Sequence, residues 1–386
     1  MDKPYVSAYL QDTLVKMGIP VLNNSKDEEF LQAKCLNMVT DKDSLCSMDK
    51  ESPLILYCNS ENSLHWINSN LGNTELPEKI DLFKDKIKFR KQISSIYTTF
   101  FFKEVEYGKL AEVNISKIRK PFIIKPAVGF LSMGVYKVNN DNEWMNTIKQ
   151  IQTEMEKVKG MFPIEVMDSS HFIIEECING DEYAIDAYFN SSGKPVVLNI
   201  FKHSFSSEND VGDRLYYTSK KIMKQYLERF QEILATIGKL CDLKNFPVHM
   251  EVRVDKNEMI VPIEINPMRF AGWCTTDIAH YAYGINVYEY YFNQKEPDWY
   301  SILKEDDNRL CCLILADIPK DVKLDDIQGV NYNDFICEFD NLFELRKIDY
   351  KKYPLFAFVF ASVPDSISEI NKILCNDLRK FIVCNN

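Results

Sequence analysis

Residues 249–269 read HMEVRVDKNEMIVPIEINPMR and form two arms of alternating apolar and polar residues on either side of a polar turn. Alternation with a period of two is typical of β-strands that bury one face. In the first arm Met250 falls on the apolar side, whereas His249 and Glu251 fall on the polar side. The two arms are therefore predicted to pair as a half-buried antiparallel hairpin.

The register of this hairpin follows from matching the apolar residues of the two arms. The match places Val252 opposite Ile263 on the buried face. On the polar face the same register places Glu251 directly opposite Glu264, at a Cα separation of about 5.5 Å or less. The sequence thus predicts that two carboxylates meet across neighbouring strands.

Two opposed carboxylates repel each other unless a cation lies between them. Asn266 follows Glu264 on the same face, and a few oxygen ligands of this kind suit Mg²⁺, which also binds substrate phosphates. Glu251, Glu264 and Asn266 are therefore the predicted metal ligands. Arg269, just beyond the second arm, is predicted to bind a phosphoryl or carboxylate oxygen. The alternative is a solvated polar face, which is common on hairpins.

A second informative segment begins with Lys125, at the end of the apolar run 122–125. The turn over residues 129–135 follows and carries two glycines and Ser132. An ammonium group, backbone N–H groups and a hydroxyl can together bind phosphate oxygens. The turn is not a Walker A sequence. The alternative is a hairpin loop whose lysine points to water.

The composition narrows the function classes. The chain has 386 residues, and 46 basic against 57 acidic side chains give a net charge of −11. A broad nucleic-acid footprint needs a basic surface, so nucleic acid is not an expected partner. Hydrophobic residues make up 46% and charged residues 27% of the chain, which indicates a globular protein rather than a disordered one.

The cysteines and the apolar runs bear on location. The eleven cysteines are an odd number without C-x-x-C spacing, which favours reduced thiols. The chain does not start with a basic segment followed by an apolar one, and no apolar run approaches the ~20 residues needed to span a bilayer. The expected location is cytoplasmic, without a membrane anchor.

Patterning divides the chain into three parts. Residues 1–81 alternate helical patterns with short apolar runs, as small βα units do. Residues 82–300 form the second part, in which strands dominate from Phe122 onward and two long amphipathic helices interrupt them. Residues 301–386 are predicted to be an α+β cap that closes with a helix over residues 366–381. The expected fold class is α/β with α+β.

Three modules in this order resemble the ATP-grasp superfamily of ATP-dependent carboxylate ligases. They are Lys125 with its turn, the segment 175–182, and the predicted metal ligands on the hairpin. The resemblance covers about residues 82–293 and implies an ATP-grasp core of two subdomains between a small N-terminal domain and the C-terminal cap. Lys86 matches the lysine that enters the nucleotide cleft ahead of the central domain in this family.

The resemblance implies how the phosphates would be held. Lys86 and Lys125 would bind the α- and β-phosphates, and residues 129–134 would be a mobile lid that brings Ser132 near the γ-phosphate. Arg269 would stabilise the transferring phosphoryl group, although it stands one residue later than the arginine of relatives that read Asn-x-Arg.

The remaining contacts of ATP are implied in the same way. Glu175 and the backbone near Cys177 and Ile178 would face adenine, and Glu182 would face the ribose. The three predicted metal ligands would hold Mg²⁺.

A long polar loop over residues 204–219 lies between a predicted strand and a predicted helix. Loops of this length are often functional. Lys202, just before the loop, and Arg214, within it, are candidates for binding a substrate carboxylate. The alternative is a solvated loop.

The predicted function is Mg-ATP-dependent ligation of a carboxylate to an amine through an acyl phosphate, with release of ADP and phosphate. An amino acid or a peptide is the expected substrate, and Lys125 and Arg269 would be the catalytic residues. Alternatives are a non-catalytic ATP-binding regulatory protein, or a ligase that uses a thiol or bicarbonate. Small molecules are the expected partners, without nucleic acid or membrane, and a homo-oligomer is left open.

Overall fold

The computed structural model divides into two compact units. The residues that the structure describes are 1–2, 5–22, 35–47, 54–129, 133–158, 168–207, 212–305, 307–319 and 321–384. Unit 1 comprises Met1–Gly180, Asp186–Val196 and Glu232–Cys274. Unit 2 comprises Asp181–Ile185, Val197–Gln231 and Thr275–Asn386.

The described residues contain both helices and strands, several of them in consecutive runs of one kind. The α-helices, α1 to α12, span Ala8–Met17, Asp41–Ser47, Leu64–Asn70, Leu76–Lys84, Lys86–Ile93, Trp144–Val158, Lys220–Leu240, Ile278–Tyr283, Val287–Phe292, Trp299–Ile302, Tyr332–Ile336 and Ile367–Leu374. The strands, β1 to β16, span Pro20–Leu22, Asn37–Val39, Phe102–Glu106, Phe122–Val128, Tyr136–Val138, Asp168–Glu176, Asp181–Phe189, Pro195–Ser204, Leu215–Thr218, Phe246–Val254, Ile260–Pro267, Arg309–Asp317, Ile327–Val330, Leu342–Lys347, Leu355–Pro364 and Ile382–Cys384. The mixed α/β class predicted from the sequence is confirmed, whereas the boundaries of the three predicted domains stay a prediction.

Unit 1 contains a four-stranded antiparallel sheet in the order β3-β6-β4-β5. One face carries Phe122, Ile124, Phe172 and Ile174, which are buried together with apolar side chains of α6. On the opposite face Ile173 packs with Ile87 of α5, with Ala127 and with Phe102. Because side chains alternate along each strand, Lys125 and Glu175 lie on this second face, toward α5.

The predicted hairpin is formed by β10 and β11 of unit 1. Glu251 lies opposite Glu264, as predicted. The predicted pairing of Val252 with Ile263 is wrong, because Val252 lies opposite Pro262 and a β-bulge separates Glu251 from Val252. The bulge adds one residue to β11, and such an extra residue is not visible in a pattern of apolar matches.

The bulge determines which way Glu264 points. If the register on the turn side of the bulge continued, Glu251 would lie opposite Ile263, and Glu264 would lie opposite the fully buried Met250. A shift of one residue moves every side chain of a strand to the other face. The bulge therefore places Glu264 on the face of Glu251 instead of in the core.

Unit 2 contains antiparallel strands that pair in the order β9-β12-β15-β14. The predicted closing helix over residues 366–381 is too long, because α12 ends at Leu374 and a separate 3₁₀ turn spans Leu378–Phe381. Arg214 donates hydrogen bonds to the carbonyls of Leu374 and Asn376, which satisfies backbone acceptors where the helix ends. No helix among the described residues is both long and apolar enough to cross a bilayer.

Candidate active site

Helix α5 brings two cations to the site. Asp85 caps the helix, since its side chain accepts hydrogen bonds from the backbone N–H groups of Ile87 and Lys88. Lys86 and Arg90 are four residues apart and therefore share one side of the helix. Both are buried. A lysine in the first helical turn is unfavourable for the helix dipole, so Lys86 needs an acidic partner.

That partner is Glu264 of the hairpin. The Lys86 Nζ lies 3.0 Å from Glu264 Oε2 and also donates to the carbonyl of Gly129 at 3.2 Å. Burial alone would raise the pKa of Glu264, but the ammonium groups of Lys86 and Lys125 lower that pKa to about 2. Conversely, burial would lower the pKa of Lys86, and the carboxylates around it, Glu264 first, raise it. Because both lysines act on Glu264, they lie in one electrostatic environment.

The predicted metal ligands share one face of the hairpin. The Asn266 Nδ2 donates to Glu264 Oε1 at 3.3 Å, and Glu251 is opposite Glu264 in the ladder. No three His, Cys, Asp or Glu side chains of the described residues are grouped so that they could hold a metal ion. Two carboxylates and an amide oxygen nevertheless fit Mg²⁺, which proteins usually bind with one or two carboxylates and substrate phosphates.

Lys125 is paired with Glu175, its diagonal neighbour on adjacent strands. The Lys125 Nζ lies 2.8 Å from Glu175 Oε2, and the Arg90 Nε donates to Glu175 Oε1 at 2.7 Å. Burial raises the pKa of Glu175, but Lys125 and Arg90 bring it below its usual range. Both carboxylate oxygens are thus bound to cations, and the predicted contact of Glu175 with adenine stays a prediction.

Arg269 is held by an acidic residue that the sequence analysis missed. The Arg269 Nη2 and Nε donate to Glu61 Oε1 at 2.7 and 3.1 Å, and Lys84 binds the other oxygen of Glu61. Glu61 begins the 3₁₀ turn Glu61–Ser63, which Ser60 caps. Burial opposes ionisation of Glu61, but Lys84 and Arg269 hold its pKa well below the usual range. Glu61 is therefore a carboxylate at neutral pH and balances both cations.

The residues predicted to contact adenine and ribose belong to different units, Cys177 and Ile178 to unit 1 and Glu182 to unit 2. The carbonyl of Ile178 accepts a hydrogen bond from Arg253 Nη1 at 3.1 Å, and Cys177 is partly buried. In unit 2, Glu182 Oε1 lies 2.9 Å from His203 Nδ1. Ser132 lies outside the described residues. These roles therefore stay predictions.

The two predicted substrate cations of unit 2 have acidic partners. Lys202 donates to Asp181 at 2.6 Å. The Arg214 Nε and Nη2 each lie 2.8 Å from Asp317 Oδ1, and Arg214 Nη1 binds the two carbonyls near the end of α12. Every nitrogen of the Arg214 guanidinium thus has a structural partner. The substrate roles predicted for Lys202 and Arg214 stay predictions.

Comparison with known proteins supports the fold. Residues 118–277 match the model of the family described as ATP-grasp domain. The L-amino acid ligase from Bacillus licheniformis is similar with a TM-score of 0.68 at 16% identity, over 97% of this chain and 95% of that one. The N5-carboxyaminoimidazole ribonucleotide synthetase from Thermotoga maritima is similar with a TM-score of 0.63 at 14% identity, over 97% and 94% of the two chains.

A biotin carboxylase from Campylobacter jejuni is similar with a TM-score of 0.56 at 14% identity, over 84% of this chain and 73% of that one. No curated protein matches the sequence of this chain. At these identities the solved structures establish the fold alone. The resemblance to the ATP-grasp superfamily, predicted from the sequence, is confirmed.

Proposed function

We propose that this ATP-grasp protein is an ATP-dependent ligase that joins a carboxylate to an amine through an acyl phosphate. The observation that carries the proposal is the arrangement within unit 1. Two buried ammonium groups, of Lys86 and Lys125, both act on Glu264, which lies opposite Glu251. Positive charge beside paired acids suits a triphosphate and a divalent cation, and phosphoryl transfer depends mainly on such positioning and charge.

Each residue has a role in the proposed reaction. Lys86 and Lys125 bind the phosphates of ATP and offset their charge. Glu251, Glu264 and Asn266 would hold Mg²⁺, which supplies charge neutralisation at the phosphate oxygens. Arg269 stabilises the transferring phosphoryl group, and Glu61 orients the Arg269 guanidinium through Oε1.

The reaction needs no protein nucleophile. A carboxylate oxygen of the acid attacks the γ-phosphorus of ATP, the bond from that phosphorus to the β–γ bridging oxygen breaks, and ADP leaves. The amine nitrogen then attacks the acyl carbon, and the bond between that carbon and the phosphate oxygen breaks. Inorganic phosphate leaves, and the proton lost by the amine passes to solvent.

An amino acid or a peptide is the proposed substrate class. The similar fold of an L-amino acid ligase supports this choice. An arginine such as Arg269 can donate two parallel hydrogen bonds to a carboxylate or to a phosphoryl group.

The test is release of phosphate from MgATP by the purified protein, measured against panels of carboxylic acids crossed with amines, thiols and bicarbonate. Phosphate release that needs both an acid and an amine, with a matching amide product, supports the proposal. Release with a thiol or with bicarbonate alone would replace it with another ligase, and ATP binding without turnover on any panel would favour a regulatory binder.

Two variants sharpen the test. Glu264→Gln should lower turnover by at least about 100-fold, as the loss of one preorganised charge at a transition state does. The matched control is Glu104→Gln, because Glu104 forms only a partly exposed ion pair with Lys91 in unit 1. Undiminished turnover in Glu264→Gln would remove the metal assignment.

A further inference from the structure

Arg90 is an arginine with almost no exposed surface, which is rare for this residue type unless its charge is compensated. Its Nε donates to Glu175 at 2.7 Å, and its Nη2 donates to the carbonyl of Pro262 in β11 at 3.0 Å. The guanidinium also lies 4.1 Å from the centre of the Phe100 ring. Helix α5 thus holds Arg90 against both β6 and β11.

Glu175 divides its carboxylate between two cations. Oε1 accepts from Arg90, and Oε2 lies 2.8 Å from Lys125 Nζ. All three side chains are buried, and the two cations exceed the one carboxylate by a single positive charge. Lys125 can therefore attract an anion even while it remains paired with Glu175.

The free-energy cost of moving the Lys125 ammonium group toward a phosphate depends on whether Glu175 keeps another cationic partner. If Lys125 were the sole partner of Glu175, moving the ammonium toward a ligand would leave a buried carboxylate without compensation, which is strongly unfavourable. Arg90 prevents this, because a guanidinium stays charged and offers several donors in a fixed plane. Its Nη1 is buried and has no hydrogen-bond partner among the described residues, so the group is not saturated.

We propose that Arg90 is a positioning residue for nucleotide binding: it compensates the buried carboxylate of Glu175, so that Lys125 is available to the phosphates of ATP. The proposal rests on the function proposed above, because it takes Lys125 to be a phosphate ligand. Arg90 itself acts through Glu175 and Lys125, and it is not assigned a contact with the nucleotide.

The experiment measures dissociation constants of ATP, ADP and adenosine by calorimetry for the full-length protein and for Arg90→Gln. Binding of ATP and ADP should weaken at least about 10-fold, in the range of coupling between close charges. Adenosine has no phosphate, and its affinity should change less than about 2-fold by the same reasoning. The matched control is Lys91→Gln, the loss of an exposed cation from the same helix, which should leave all three affinities unchanged.

A second pair of variants distinguishes this role from a structural one. If Arg90 acts by compensating Glu175, removing both charges in Arg90→Gln/Glu175→Gln should restore ATP affinity to within about 3-fold of Glu175→Gln alone. Equal weakening of adenosine and ATP in Arg90→Gln, or no recovery in the double variant, would overturn the inference.

The remaining outcomes are also decisive. If Arg90→Gln does not fold, Arg90→Lys keeps the charge that compensates Glu175 and should bind ATP and adenosine within about 3-fold of the wild-type affinities. A loss of ATP affinity of about 10-fold or more in Arg90→Lys would then overturn the inference. Failure of the wild-type protein to bind ATP would instead overturn the proposed function on which the inference rests.

Discussion

Substituting Glu264 by glutamine should destabilise the protein even without metal or nucleotide. The folded-state pKa of Glu264 is about 2 against 4.5 for an ordinary glutamate. At about 1.36 kcal/mol per pKa unit, the difference of about 2.5 units corresponds to about 3 kcal/mol of stability at pH 7. This agrees in size with the roughly 3–5 kcal/mol expected when one partner of a buried ion pair is removed, here leaving Lys86 without its acid.

The direction of the pKa shift determines how the stability difference between wild type and Glu264→Gln changes with pH. The pKa of Glu264 is lower in the folded state, so the stabilisation is fully present above the unfolded value of 4.5 and is lost as the pH falls toward the folded value of about 2. Urea unfolding of wild type and Glu264→Gln should therefore differ by a constant amount from pH 7 to pH 5.5. The difference should shrink as the pH falls below 4.5.

The exposed pair of Glu104 with Lys91 provides the control, and Glu104→Gln should lower stability by less than about 1 kcal/mol. A loss below about 1 kcal/mol for Glu264→Gln at pH 7 would refute the assignment of a half-buried Glu264 that is ionised and paired with Lys86. A difference that stays the same at pH 4 and below would refute it as well.

Two further substitutions test other contacts of unit 1. Glu61→Gln leaves the buried Lys84 and the half-buried Arg269 without their acid and should lower the free energy of unfolding in urea by about 3 kcal/mol. Glu106→Gln on the surface should have little effect, and equal stability of the two variants would contradict the role of Glu61. Gly180→Ala should lower the melting temperature by at least about 5 °C, because Gly180 has a φ of +123° and an added Cβ would lie 2.1 Å from the carbonyl oxygen of Val254. Gly72→Ala, where the nearest atom would be 3.7 Å away, should melt near the wild-type temperature, and a Gly180→Ala protein that does the same would contradict the close approach.

The acids of the hairpin could be predicted from the sequence because their relation is local. Alternation in both arms gives the faces of the strands, and the pairing of Glu251 with Glu264 followed from it. The same pattern could not predict the pairing of Val252 with Pro262, because residues 260–263 are all apolar and either register places an apolar residue opposite Val252.

The partners of the predicted cations were harder to find. Glu61 is separated from Arg269 by 208 residues, and nothing in its own surroundings in the sequence indicates that contact. Arg90 did have a signal: it stands four residues after Lys86 in a helix that begins at Asp85, so the two share a side. Its contact with Glu175, however, depends on how α5 lies on the four-stranded sheet, and no sequence pattern gives that.

The bulge of β11 also divides the hairpin into two ladders that differ in register by one residue. On the turn side Val252 pairs with Pro262 and Val254 with Ile260, whereas beyond the bulge Glu251 pairs with Glu264. Only a register carried through from the turn side without the extra residue would bring Met250, not Glu251, opposite Glu264. Sequences compared with this chain should therefore be aligned separately on each side of Ile263.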